Sequence, residues 1–159
     1  VIAIHVVHPG VLGQPGSVLL PLTAVSGAAA NALPLLRLVG RDLYHLHVLF
    51  VCEISRLRFP VLRGRDVERL LATGRTLVAQ IEETLCAGLA PHSFELDSSV
   101  VVSNDVSQEI VLGAAKHRSR LIVLDGSRRI LRRGVAYGDP LERILRDTPA
   151  DVAIHRDVD

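Results

Sequence analysis

The chain has no methionine and no tryptophan, and aromatic residues make up only 3% of its 159 positions. A core with so few rings has to be aliphatic, which argues against an aromatic-rich β-sandwich and for mixed α/β packing. The same scarcity removes the stacking platforms that single-stranded nucleic acid needs. A formal net charge of +1 supplies no overall pull toward nucleic acid or an anionic membrane. The two cysteines, Cys52 and Cys86, are far apart and form no C-x-x-C motif. Neither a disulfide framework nor a thiolate metal site is therefore expected, and the default setting is a reducing compartment, the cytoplasm. No apolar run approaches the roughly 18 residues of a membrane helix, and no signal-peptide pattern is present. The chain starts at Val1 without an initiator methionine, which predicts a piece of a longer polypeptide or a processed product.

What the chain does have is 48% apolar residues, enough at this length for one domain with a sizeable core. Val1–Val7 reads as a strand, and the turn-rich HPGVLGQPG follows it. Its IAIH echoes the VAIH at 152–155. It is read as an added edge strand, an arm exchanged with a partner, or the end of a preceding domain. Residues 1–16 are thus set apart as an extra strand and linker, and 17–159 form the main domain.

Ser17–Leu22 predicts the first strand of that domain, and Ala24–Val39 a helix that Gly40 stops and in which Pro34 costs a backbone hydrogen bond and favours a kink. Leu43–Ile54 is apolar on both faces, as buried parallel strands are. Asp66–Leu89 repeats Val67, Leu70, Leu71, Leu77, Val78, Ile81 and Leu85 at helical spacing. Phe94–Val102 predicts a strand. Asp105 and Gln108 form a capping box for a helix carrying Ile110, Val111, Ala114 and Ala115. Leu121–Leu124 is a buried-strand run broken by Asp125-Gly126-Ser127. Gly138-Asp139-Pro140-Leu141-Glu142 predicts a helix start, with Asp139 as cap and Pro140 in the first turn. Val152–Ile154 closes the pattern. Strands alternating with helices call for an α/β fold, an open and mainly parallel sheet with helices on both faces. Ligands in such folds bind beyond the carboxyl ends of the strands, where the winding reverses.

The stretches VLLPLT (18–23), LHVLFV (46–51), NDVSQEIVLGAA (104–115), LIVLDGS (121–127) and GDPLERILRDTPADVAIHR (138–156) resemble the universal stress protein family. The resemblance spans about residues 17 to 156. It implies a Rossmann-like fold of the adenine nucleotide alpha hydrolase type. The five main strands would run in the order 3-2-1-4-5, with the crevice between the strands at 17–22 and 121–124. It also implies ATP or AMP as the cofactor class and maps a nucleotide site onto this chain. Pro21, Leu22 and Thr23 fall where ATP-binding members end the first strand in proline, a variable residue and a nucleoside-facing aspartate. Val48 falls on the adenine contact, and Asn104 stands where the family often has glycine. The phosphate loop, G-x-x-G-x9-G-[ST], falls on Asp125, Arg128, Gly138 and Asp139, with Gly126 beside the first.

Of the four phosphate-loop positions only Gly138 keeps the family's residue type. Thr23 offers no charged acceptor to ribose hydroxyls. Arg128 adds bulk where glycine lets backbone N–H groups approach phosphate. Asp125 and Asp139 bring negative charge toward an anion, and Asp139 caps the helix whose N–H groups would face it. Pairing of Arg128 or Arg129 with these acids would fill the phosphate space from within.

The leading reading is a non-catalytic regulatory or stress-response domain with a degenerate nucleotide site. The resemblance implies that it acts as a homodimer through the last strand, near Val152–His155. It also implies a parent transporter as an alternative setting, since such domains occur as cytoplasmic tails of cation/proton antiporters and amino-acid permeases. The competing reading is an ATP- or AMP-binding switch, or a slow ATPase, with arginines as phosphate ligands. No nucleophile–base pair can be named, and Glu82-Glu83 reads as a solvated helix flank. Arg128, Arg129, Arg132 and Arg133 read as a solvated loop or an anion-facing patch. His45 and His47 share one strand face, but the sequence contains no metal-site motif, and no metal is assigned.

Overall fold

The computed structural model describes residues 2–5, 16–23, 28–40, 42–91, 93–125 and 140–155. The elements run β1 (Ile2–His5), β2 (Gly16–Leu22), α1 (Ala28–Val39), β3 (Leu43–Glu53), α2 (Gly64–Gly88), β4 (Glu95–Ser103), α3 (Val106–Lys116), β5 (Leu121–Asp125), α4 (Pro140–Asp147) and β6 (Asp151–His155). A short 3-10 turn, Phe59–Val61, precedes α2.

The six strands form one sheet in the order β1-β6-β5-β2-β3-β4. Pairing among the five strands from β2 onward is parallel throughout. Counted along the main domain they run 3-2-1-4-5, the order that the resemblance implied. The winding therefore reverses between β2 and β5, and the reversal marks where a ligand crevice belongs. The first strand lies antiparallel against the outer edge of β6, pairing Ile2 with His155 and His5 with Val152. Within this chain the N-terminal strand is thus the outermost strand of the sheet.

Alternation along the strands divides the core in two. Leu20, Val48, Phe50 and Val123 face α1 and α2, where they meet Leu35, Leu36, Val78, Ile81 and Leu85. Leu19, Leu49, Val51, Ile122 and Leu124 face the other way, onto Ile110 and Ala114 of α3 and Ile144 of α4. Leu19, Leu20, Ile122 and Leu124 are wholly excluded from water, each stabilising the fold by about 1.5–3 kcal/mol relative to exposure. The long apolar strands need both helical layers for this reason, as parallel sheets generally do.

α2 approaches the sheet closely at Gly74. A Cβ there would overlap Val100 and stand 3.2 Å from Cys52 Sγ. Cys52 and Cys86 are both free and half-buried. Burial pushes the Cys52 thiol up, away from the reactive thiolate.

Candidate functional site

β2 and β5 pair at Val18–Leu121 and Leu19–Ile122, whereas β2 stays paired with β3 as far as Leu22. Pro21, which has no N–H to give a ladder, lies in the part of β2 bonded to β3 alone. The carboxyl ends of β2 and β5 therefore stand side by side without a ladder across them. This is the place where the winding puts a ligand crevice.

The residues assigned to the nucleotide site divide into three groups. Pro21 is buried and Thr23 half-buried at the carboxyl end of β2. Val48 lies midway along β3, level with Leu20, wholly buried in the core beneath α1 and α2. Asp125 ends β5 level with His155 of β6. Its backbone is described and its side chain is not. Gly126, Arg128, Gly138 and Asp139 lie outside the described residues, as do Arg129, Arg132 and Arg133. The structure thus brings the ends of β2 and β5 together. Arg128 and Asp139, which would carry the altered phosphate chemistry, lie in the stretch it leaves undescribed.

The helix beyond that stretch is held in a defined way. Asp105, the N-cap of α3, accepts the backbone N–H of Gln108 at 3.1 Å and the hydroxyl of Ser107 at 3.0 Å through Oδ1. Its Oδ2 accepts Arg143 Nη1 of α4 at 2.6 Å. One carboxylate therefore caps α3 and ties it to α4. Burial pushes the Asp105 carboxyl up. The Gln108 N–H, the Arg143 guanidinium and the Ser107 hydroxyl outweigh it and hold the group below the ordinary 3.8. The capping box predicted the first of these contacts. The tie to Arg143 was invisible, because nothing local links positions 38 residues apart.

A second feature unforeseen in the sequence is a groove of about 620 Å³ beside the carboxyl end of β3. Charged Glu53, Arg58, Asp66 and Arg69 line it. Val61 also lines it and is 74% exposed, and in the same turn Leu57 and Phe59 are 90% and 42% exposed. These three exposed apolar side chains fall within five residues, with Arg56 before them and Arg58 between the first two.

No family model and no curated protein sequence matches this chain. Solved structures do. The hypothetical protein MJ0577, whose biochemical function was assigned from its structure, superposes over 92% of this chain and 99% of its own, with a TM-score of 0.69 at 14% identity. The universal stress protein UspA of Lactobacillus plantarum covers 91% of this chain and 99% of its own, with a TM-score of 0.62 at 18% identity. A universal stress protein solved in complex with cAMP covers 87% and 95%, with a TM-score of 0.62 at 12% identity. The chain has the α/β fold of the universal stress proteins, complete from its first parallel strand to its last. Among the described residues no helix is long and apolar enough to cross a membrane.

Proposed function

We propose that the chain is a non-catalytic regulatory domain of universal stress protein type that acts by association and whose nucleotide site is degenerate. The observation that carries this reading is the reversal of winding between β2 and β5, together with the residues that the sequence assigns to the strand ends there. Thr23 replaces a carboxylate at the end of β2. Asp125, Arg128 and Asp139 replace small residues in the loop that would hold phosphate. The sequence thus carries acid and base at the positions matched to phosphate, and two carboxylates there would repel a polyphosphate unless Mg²⁺ intervenes.

Association rests on the exposed Leu57, Phe59 and Val61, an apolar surface framed by arginines. The edge at Val152–His155, the expected dimer contact, is covered by β1 in this chain. A homodimer through that edge requires β1 to withdraw or to be exchanged between copies. A parent transporter, with this domain as its cytoplasmic tail, is the alternative partner, and the arginine-framed turn is the face we assign to it.

The second reading, an adenine-nucleotide switch, is favoured by the cAMP complex of one structural neighbour. Calorimetry of the purified chain with ATP, ADP, AMP and cAMP, with and without Mg²⁺, separates the two. The degenerate site predicts no binding up to millimolar ligand, and binding restored by Asp125→Gly, Arg128→Gly and Asp139→Ser together. Micromolar binding by the unmodified chain would overturn it in favour of the switch.

A further inference from the structure

At the opposite, amino-terminal end of the sheet, on the face covered by α3, three histidines and a carboxylate converge. β3 carries His45 and His47, which project from the same face because strand side chains alternate. A register irregularity between Gly16 and Ser17 brings Ser17 of β2 level with His45. The neighbouring strand β4 sets Asp97 level with His47, and Ser99 two residues further on. His117, the C-cap of α3, lies over them with its ring stacked on His47, centroids 3.5 Å apart and planes 19° from parallel.

The hydrogen bonds are arranged from the inside out. Asp97 Oδ1 stands 3.0 Å from His45 Nε2 and 2.6 Å from His47 Nδ1. The remaining nitrogen of each ring meets a serine hydroxyl: His45 Nδ1 at 3.1 Å from Ser17, His47 Nε2 at 2.8 Å from Ser99. Each imidazole is thus fixed on both sides, with the inner nitrogens and the carboxylate aimed at one point. The potential ligand atoms of His45, His47 and Asp97 all lie within 4.8 Å of one another.

A serine hydroxyl can donate or accept. In the structure as it stands, the inner nitrogens carry the protons shared with Asp97, and the hydroxyls can donate to the outer ones. If the tautomers reverse, the outer N–H groups donate to the serines and both inner lone pairs are freed. Metal-binding histidines are commonly oriented in this way, with the second ring nitrogen donating to a fixed acceptor. A tetrahedral ion with bonds of about 2.0–2.1 Å holds its ligand atoms about 3.3 Å apart. The hydrogen-bonded pairs at 2.6 and 3.0 Å must therefore open by about 0.7 and 0.3 Å. Asp97 can supply that movement, since its side chain is 53% exposed on the edge strand, while the His47 side chain is held at 2%. The exposed side of Asp97 also leaves room for water ligands.

We propose that His45, His47 and Asp97 bind a divalent transition-metal ion of the zinc class, with Ser17, Ser99 and the stacked His117 orienting the two rings. Two imidazole donors and one carboxylate select such an ion over Mg²⁺ or Ca²⁺, which prefer oxygen alone. The site owes nothing to the nucleotide crevice, which lies at the other end of the strands, so either assignment can fail without the other.

The test is calorimetric titration of the chelator-stripped chain with Zn²⁺, in two buffers of different ionisation enthalpy, and with Co²⁺ followed by visible absorption. One equivalent should bind at micromolar concentration or tighter, with nearly the same enthalpy in both buffers, since the tautomer exchange moves each ring proton to the outer nitrogen and releases none. Co²⁺ should show the intense bands of four- or five-coordinate nitrogen and oxygen ligation. Asp97→Asn and His45→Asn, both at positions with solvent access, should weaken Zn²⁺ tenfold or more, with urea midpoints recorded for each. Ser99→Ala, which leaves all three ligands in place, should weaken it about tenfold through loss of ring orientation. Zn²⁺ binding that is equally tight in the Asp97 and His45 variants, or a Co²⁺ spectrum of the weak six-coordinate aquo type in the unmodified chain, would overturn the proposal.

Discussion

Replacing Asp105 by alanine removes three interactions at once, and their sizes can be worked separately. Loss of the N-cap to the Gln108 N–H costs about 1 kcal/mol. Ser107 is buried, at 7% exposure, and leaving its hydroxyl without the Asp105 acceptor adds roughly 1 kcal/mol. The ion pair to Arg143 has side chains 20% and 37% exposed. Solvent screening therefore limits it to about 0.5–1 kcal/mol. Asp105→Ala should thus destabilise the fold by about 2–3 kcal/mol, whereas Asp105→Asn, which keeps a capping oxygen, should cost no more than about 1 kcal/mol. Urea denaturation near neutral pH measures both. A double-mutant cycle with Arg143→Met should give a coupling of about 0.5–1 kcal/mol that shrinks with added salt. Because the folded-state carboxyl is held below 3.8, this stability is present above that value and is lost as the pH falls through the folded pKa. A cost for alanine below about 0.5 kcal/mol, or zero coupling to Arg143, would refute the reading of Asp105 as the tie between α3 and α4.

Gly74→Ala should destabilise by about 1–2 kcal/mol, because the clash with Val100 outweighs the gain in helix propensity. An unchanged thermal midpoint would mean that α2 does not sit this close to β4. Burial and the neighbouring charge of His47 lower the pKa of His117 below 6.5, with only Asp97 opposing them. The unfolded chain then binds the proton more readily, so stability should fall as the pH drops through 6.5 and below. His117→Phe keeps the ring stack and should flatten that decline in pH-dependent melting curves, and an unaltered slope would remove His117 as its source. Removing residues 1–7 should uncover the outer edge of β6 and raise self-association in light-scattering measurements. A chain that stays monomeric would show that this edge does not recruit a second copy.

The helices and the parallel strands were legible in the sequence for a physical reason. Leu70, Leu77, Ile81 and Leu85 recur with the helix period, and Leu43–Ile54 is apolar on both faces, so each segment specifies its own conformation. The cap of α3 was equally local: Asp105 reaches only to Gln108. The start of α4 at Pro140 follows from proline's fixed φ and missing N–H. The histidine cluster was only half visible. His45 and His47 announce a shared face by their spacing, and Asp97 and Ser99 do the same on another strand. Nothing in either stretch says that the two strands are neighbours or that His47 stands level with Asp97.

By itself, then, the sequence determined the aliphatic core, the alternation of strand and helix, and the residues available at the crevice. Each depends on properties that a residue shares only with near neighbours in the chain. The tertiary structure alone decided that β1 covers β6, that Asp105 holds Arg143, and that one carboxylate on β4 stands between two imidazoles on β3. These are contacts between segments 38 or more residues apart. Their partners are chosen by which strands become neighbours and in what register, which is settled when the two helical layers close over the sheet.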